Sequence, residues 1–120
     1  MFWCVTLKGE DTVIGSCCFR NFSSNFECAE IGYELSRAHW RKGIAAEAVR
    51  AIIGHGFTAL GFHRIEANPP AANTSSRNLS LKLGFKYEGN LRQRVLFRGH
   101  FEDQHYFGLL RGVARISLIR

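Results

Sequence analysis

From Ile44 to Leu60, apolar residues fall at Ile44, Ala45, Ala48, Val49, Ile52, Ile53, Phe57 and Leu60, and no proline interrupts them. Steps of one, three and four residues put all of them on one stripe of an α-helix. Gly61 follows as a stop. Such a stripe must lie on an apolar partner, so the chain has to build packed layers around this helix. The entry to the helix is equally constraining. Trp40-Arg41-Lys42-Gly43 is a short basic turn that runs straight into it. The first N–H groups of a helix lack intrahelical partners, and the dipole makes that end positive. Gly43 lets a ligand approach the backbone, and Arg41 and Lys42 add full charges. The expected occupant is an anion, and a cofactor diphosphate fits best.

The segments before the helix read as strands. Phe2–Lys8 is rich in strand formers, Gly9-Glu10-Asp11 marks a turn, and Thr12–Phe22 is a second strand, giving an antiparallel hairpin. Asn21–Asn25 is polar and loop-like. Cys28–Leu35 alternates, with Ala29, Ile31, Tyr33 and Leu35 on one face and Glu30, Gly32 and Glu34 on the other. Gly32 inside a strand predicts a bulge or a close backbone approach.

Beyond the helix, Arg64–Asn68 is a short buried strand ended by Pro69 and Pro70, which cannot donate to a ladder. Strand, helix, strand in that order predicts parallel pairing through a right-handed crossover. Asn73 is a good N-cap for a helix through Leu83, closed by Gly84. Lys86–Phe97 and Phe101–Leu110 are two more strands turned at Arg98-Gly99. The last ten residues are basic and apolar and receive no assignment. The expected fold is α/β, with a mixed, mostly antiparallel sheet and two helices, in one domain across residues 1–120. A ligand belongs where neighbouring strands diverge, beside the start of the central helix.

Composition limits the function. The 120 residues suit one small domain, and 46% hydrophobic residues with ten Phe can fill a core. A formal charge of +6 suits either plain solubility or a polyanionic partner, a multi-phosphate cofactor or a nucleic acid. Cys4, Cys17, Cys18 and Cys28 show no C-x-x-C spacing, and two are adjacent, so they read as buried thiols in a reducing, cytoplasmic setting. The five histidines are scattered, so no metal is expected. No stretch is apolar enough to span a bilayer.

Several blocks together resemble the GNAT N-acetyltransferases. Gly43-Ile44-Ala45 with its basic lead-in looks like the acetyl-CoA pyrophosphate loop, and Asn73-Thr-Ser-Ser76, Leu83-Gly84-Phe85 and Glu88-Gly89 like the following block. Glu30-Ile-Gly-Tyr33, His63-Arg-Ile-Glu-Ala67, and Gly99 with Asp103 are similar to the ribosomal-protein N-terminal acetyltransferase branch, the RimJ/RimL type. The resemblance runs from about Val13 to Leu110. Trp40 stands where the family usually carries Gln or Arg, a change familiar in this branch. Ser80 stands where many members place a tyrosine acid. Members normally begin with a strand and one or two helices that wall the acceptor site. This chain starts at about the second strand and is read as N-terminally truncated.

The resemblance implies direct attack of a primary amine, a protein N-terminal α-amine above all, on the thioester of acetyl-CoA. Backbone N–H groups of Arg41, Lys42, Gly43, Ile44 and Ala45, after Trp40, would hold the diphosphate. The strand end at Leu35, together with Asn73, would hold the pantetheine arm. Glu30 is the expected base, with Glu34 as the neighbouring candidate, and Ser76 the group that protonates the thiolate and touches the cofactor. An N–H near Leu35 would serve the oxyanion. Simpler roles stand beside these: Asn73 and Ser76 as helix caps, Glu30 and Glu34 as solvent-facing carboxylates, Asp103 as a turn acceptor, His39 as a surface residue, and Tyr33, Tyr87 and Tyr106 as core or sheet-face residues. Two other functions remain open. One is an inactive relative that binds coenzyme A or pairs with a second copy. The other is a basic ribosome- or RNA-binding module resting on Arg92, Arg94, Arg98, Arg111, Arg115 and Arg120. The second lacks an aromatic-basic motif.

Overall fold

The computed structural model describes residues 1–25 and 27–112. The elements are β1 (Phe2–Thr6), β2 (Val13–Arg20), β3 (Cys28–Leu35), a 3-10 turn (Arg37–His39), α1 (Ile44–Thr58), β4 (Arg64–Ala67), α2 (Thr74–Lys82), β5 (Lys86–Phe97) and β6 (His100–Leu110). One sheet takes them in the order β1-β2-β3-β4-β6-β5. All neighbours are antiparallel except β3 and β4, which pair in parallel. The mixed α/β architecture follows the sequence reading, with ends shifted by a residue or two. The hairpin strands are shorter than expected: β1 ends at Thr6 after a register irregularity, and β2 begins at Val13. Arg115 and Arg120 lie outside the described residues.

α1 lies across β2, β3 and β4 and buries Ala46, Val49, Ile53 and Phe57. The expected Ile44, Ala45, Ala48, Ile52 and Leu60 are half-buried along the borders of the same stripe. Beneath it, Phe19, Ala29, Ile31, Ile65, Phe107 and Leu109 form the covered face of the sheet. Each large side chain taken out of water here contributes about 1.5–3 kcal/mol. The helix sits close because Gly56 has no side chain: a Cβ there would lie 2.8 Å from the Phe19 ring. Of the thiols, Cys17 and Cys18 are buried as expected, whereas Cys4 is exposed and Cys28 half-buried; all four are free.

The opposite face is polar. Arg20 pairs with Glu30 at 3.2 Å, and Arg64 joins Glu66 and Glu88. These guanidinium groups lie over glycines. A Cβ on Gly32 would meet Arg20 Nη1 at 2.7 Å, and one on Gly108 would collide with Arg64. Gly32 therefore marks a close approach rather than a bulge, since the β2–β3 register runs through it unbroken, and the approaching group is a side chain.

The feature that positions the site is a parting of strands. β3 and β4 pair only over Cys28–Glu30 and Arg64–Glu66. β3 then runs on to Leu35, held by β2 alone. β4 ends at Ala67, and the chain after it turns to β6: His105 N–H donates to the Pro69 carbonyl at 2.9 Å, and Pro70 bridges to Gln104. A gap opens between the last five residues of β3 and the segment that follows β4.

Candidate active site

A cleft of about 630 Å³ occupies this gap. The end of β3 forms one wall with Tyr33, Glu34 and Leu35. The loop and first turn of α1 add Trp40, Arg41, Gly43, Ala45 and Ala46. α2 supplies the facing wall, with Asn73, Ser76 and Lys82 among its residues, and the β5–β6 turn adds Phe97 and Arg98.

The loop is shaped by two left-handed residues, Arg41 (φ 62°) and Gly43 (φ 78°). Gly43 is the N-cap residue of α1 and has no side chain to close it; a Cβ there would meet nothing within 4 Å. Among the described residues, nothing accepts from the N–H groups of Arg41 to Ala46. These donors, the positive helix end and Arg41 make a cradle for an anion. Trp40 ties the loop down: its indole N–H donates to the Leu35 carbonyl at 2.8 Å, and the Arg37 guanidinium lies 5.2 Å from the centre of its ring. His39 Nδ1 is 2.6 Å from Ser36 Oγ.

On the facing wall, Asn73 Oδ1 accepts from the Ser76 N–H at 3.1 Å, closing the start of α2. The Tyr33 hydroxyl donates to Ser76 Oγ at 3.2 Å, so one hydrogen bond spans the two walls. Burial pushes the Tyr33 pKa above the usual phenol value, the Ser76 bond opposing it, so the phenol stays protonated near neutrality. Ser80 is buried and donates to the Ser76 carbonyl at 3.0 Å.

Of the residues singled out from sequence, Leu35, Trp40, Arg41, Gly43, Ala45, Asn73 and Ser76 meet around the cleft, as does Glu34. Lys42 and Ile44 do not line it; Lys42 is exposed and Ile44 turns to the side of the helix. Glu30 does not line the cleft. It is 8% exposed, and its carboxylate accepts from Arg20 at 3.2 Å and Asn21 at 2.7 Å on the polar face of the sheet. β4 still pairs with β3 at Glu30 and has parted from it before Glu34, which leaves Glu34 as the carboxylate that reaches the cleft. The Leu35 carbonyl already accepts from the Trp40 indole, which leaves it one further lone pair. Sequence reasoning missed Tyr33 as a site residue, along with Lys82, Phe97 and Arg98. The alternation placed Tyr33 on the core face, but its partner lies 43 positions away, and no local signal reports that. Asp103 accepts not from the Arg98–Gly99 turn but from the N–H of Gln93, at the irregularity inside β5, at 2.9 Å, and from Asn90 at 3.1 Å; these two bonds hold its pKa below the ordinary carboxylate value.

Among the described residues no group of three or more His, Cys, Asp or Glu could hold a metal, and no helix is long and apolar enough to cross a membrane.

Known proteins with this pattern point one way. Residues 1–86 match the family model described as an acetyltransferase (GNAT) domain. The chain is 43% identical over 107 residues to an uncharacterized N-acetyltransferase, p20, of Bacillus licheniformis, covering 89% of this chain and 60% of that one. It is 30% identical over 98 residues to the ribosomal-protein-serine acetyltransferase of Escherichia coli, covering 82% of this chain and 55% of that one. A ribosomal-protein-S5-alanine acetyltransferase from Vibrio fischeri superposes with a TM-score of 0.85 at 29% identity, over 92% of this chain and 61% of that one. A spermidine/spermine N-acetyltransferase from Vibrio cholerae, at 21% identity, shares the fold with a TM-score of 0.88 over 97% of this chain and 69% of that one. The chain thus spans about three-fifths of the length of the curated relatives it matches. By the match over residues 1–86 and the parted strands beside an open helix start, this chain belongs to the GNAT acetyltransferase family.

Proposed function

We propose that the chain forms one acetyl-CoA-binding domain that moves an acetyl group to a primary amine, the acceptor being a protein N-terminal α-amine. The observation that carries this reading is the convergence of an uncapped helix start and two parting strands on one cleft. The residues fit the donor: unpaired N–H groups and Arg41 suit a diphosphate, and the open space at Gly43 lets it approach. When bound, acetyl-CoA supplies an acetyl thioester.

The chain's own residues then have three tasks. The loop from Arg41 to Ala45 holds the diphosphate, and the wall of Asn73 and Ser76 lies along the pantetheine arm. An α-amine has a reference pKa of about 7.7–8.0, so much of it is neutral near pH 7.5, and Glu34 or a water beside it suffices as base. The amine nitrogen would attack the carbonyl carbon and lose its proton to Glu34 or the water beside it; as the C–S bond breaks, the departing thiolate would take a proton from the Ser76 hydroxyl, which regains one from the Tyr33 hydroxyl, and Tyr33 in turn from water. Tyr33 orients that hydroxyl. Backbone N–H groups near Leu35 serve the oxyanion.

The acceptor class rests on the relatives. Proteins named for ribosomal-protein serine and S5 alanine match at 30% and 29% identity, whereas those named for spermidine match at 20–24%, a level that speaks for fold alone. Serine- and alanine-terminated peptides, spermidine and small amines should be offered with acetyl-CoA while free thiol and product mass are followed. Acetylated peptide is the expected product. Acetylation of spermidine with no reaction of peptides would reverse the acceptor assignment. Absence of any thermal shift with saturating acetyl-CoA would remove the donor reading, because a ligand that binds the folded state raises the unfolding midpoint.

A further inference from the structure

We propose that Gly15 and Trp40 are positioning residues for acetyl transfer: from opposite edges of β3 they fix the backbone at Leu35 so that its N–H is aimed at the reacting carbonyl oxygen. The inference rests on the donor reading above. It has the two residues act through Leu35 rather than on the substrate.

The direction of that N–H follows from the ladder. The Ser36 N–H donates to the Ile14 carbonyl at 2.7 Å, and the β2–β3 register pairs Gly15 with Leu35. Along an antiparallel strand, successive residues turn their polar backbone groups to alternate edges. With Ser36 turned to β2, the N–H and carbonyl of Leu35 face the other edge, which β4 has left. The carbonyl bears this out, because the Trp40 indole N–H meets it at 2.8 Å. The Leu35 N–H has no acceptor among the described residues. It stands on the cleft wall two residues after Tyr33, whose hydroxyl donates to Ser76.

A strand paired along one edge only is free to twist, and twisting swings its outward N–H groups. Two contacts oppose this, one on each peptide plane of Leu35. Gly15 lies so close that a Cβ there would collide with the Glu34 carbonyl oxygen and stand 3.1 Å from Leu35 Cα. The Glu34–Leu35 peptide is trans, so its carbonyl, seated against Gly15, points its N–H the opposite way, into the cleft. Trp40 holds the following peptide plane through the Leu35 carbonyl. It is itself fixed, because its own N–H donates to the Arg37 carbonyl at 3.2 Å and the Arg37 guanidinium covers its ring. A donor held in place before charge develops is the form of stabilisation an oxyanion needs.

The test binds isotope-labelled acetonyl-coenzyme A, an unreactive ketone analogue, to the full chain and reads its carbonyl stretch by infrared difference spectroscopy. The parent, Trp40→Phe and Gly15→Ala are compared; phenylalanine keeps a ring beside Arg37 and removes the donor. The stretch is expected at lower frequency in the parent than in either variant, because an aimed N–H polarises the carbonyl. Turnover should fall about tenfold in Trp40→Phe, less than the roughly 100-fold that deleting an oxyanion donor costs, while the dissociation constant for coenzyme A stays within about twofold. Trp40→Phe carries the test alone should Gly15→Ala not fold. A stretch and turnover in Trp40→Phe equal to the parent's, or a loss of coenzyme A affinity that accounts for the whole loss of activity, would overturn the positioning role and leave the donor cleft standing. Failure of coenzyme A and its analogue to bind the parent would overturn the donor reading itself.

Discussion

Two helix starts face the same cleft, and they are finished in opposite ways. α2 is closed by its own sequence, because Asn73 accepts from the Ser76 N–H. α1 begins at a left-handed Gly43 with no side chain to accept anything. A good cap is worth about 1 kcal/mol to a helix, so α1 forgoes a stabilisation that α2 takes. α1 tolerates this because its stripe is buried across three strands, and packing rather than capping holds it. The closed start organises the wall that carries Ser76. The open one leaves a ring of donors for a ligand. A cap is therefore informative in its absence, provided the uncapped end opens on a cleft and not on bulk water.

The largest expected effect comes from filling the open start. Gly43→Glu should abolish the acetyl-CoA thermal shift, because bulk and negative charge would sit where phosphate belongs. Gly43→Ala is the control: the left-handed backbone costs about 1–2 kcal/mol of stability, but the open space around its Cβ should let binding persist. If both variants bind equally, the open start is not the donor site.

Next come the groups that join the walls. Ser76→Ala should lower turnover about 100-fold and Tyr33→Phe about tenfold, with the apparent affinity for acetyl-CoA little changed in Tyr33→Phe. A Tyr33→Phe enzyme with full turnover would reduce that hydrogen bond to a structural contact. A smaller effect is expected from opening the closed start. Asn73→Ala should cost about 1 kcal/mol, a few degrees in the unfolding midpoint. Calorimetry checks this, and an unchanged midpoint would mean the two starts do not differ as described.

The smallest effect concerns pH and lies away from the cleft. The Arg64 guanidinium, through its hydrogen bonds, holds the Glu88 carboxyl below its usual pKa. A depressed carboxyl stabilises the fold above its unfolded pKa of about 4.5, and that contribution is lost as pH falls through the folded value. His105 acts in the same direction higher up: burial first, and then Arg77, lower its pKa, against Asp103. The unfolded chain then binds the proton more readily, so stability should begin to fall below about pH 6.5. His105→Gln should flatten that upper step, and urea titrations at pH 7.5 and 5.5 would show whether it does.

Much of this was legible in the sequence for a physical reason. Hydrophobic period, turn glycines and prolines are local signals, and they located every strand and both helices to within a residue or two. The loop at Trp40–Gly43 and the cap at Asn73 were legible for the same reason. What failed to show was lateral. Glu30 and Glu34 differ by four positions on one strand and share a face, so alternation cannot separate them. The difference arises because β4 still pairs at Glu30 and has departed before Glu34. The Tyr33–Ser76 bond and the arrival of Arg98 depend on how distant elements meet. Trp40 could be read as a departure from the usual loop, but its bond to the Leu35 carbonyl could not.

The most direct test of the open helix start is to follow the backbone amide resonances of residues 40–47 as coenzyme A is added. The N–H groups of Arg41 to Ala45 should show the largest shifts of any in the chain, and those of the closed α2 start at Thr74–Ser76 should move less. A ligand that binds tightly while the Arg41–Ala45 amides stay still would contradict the account.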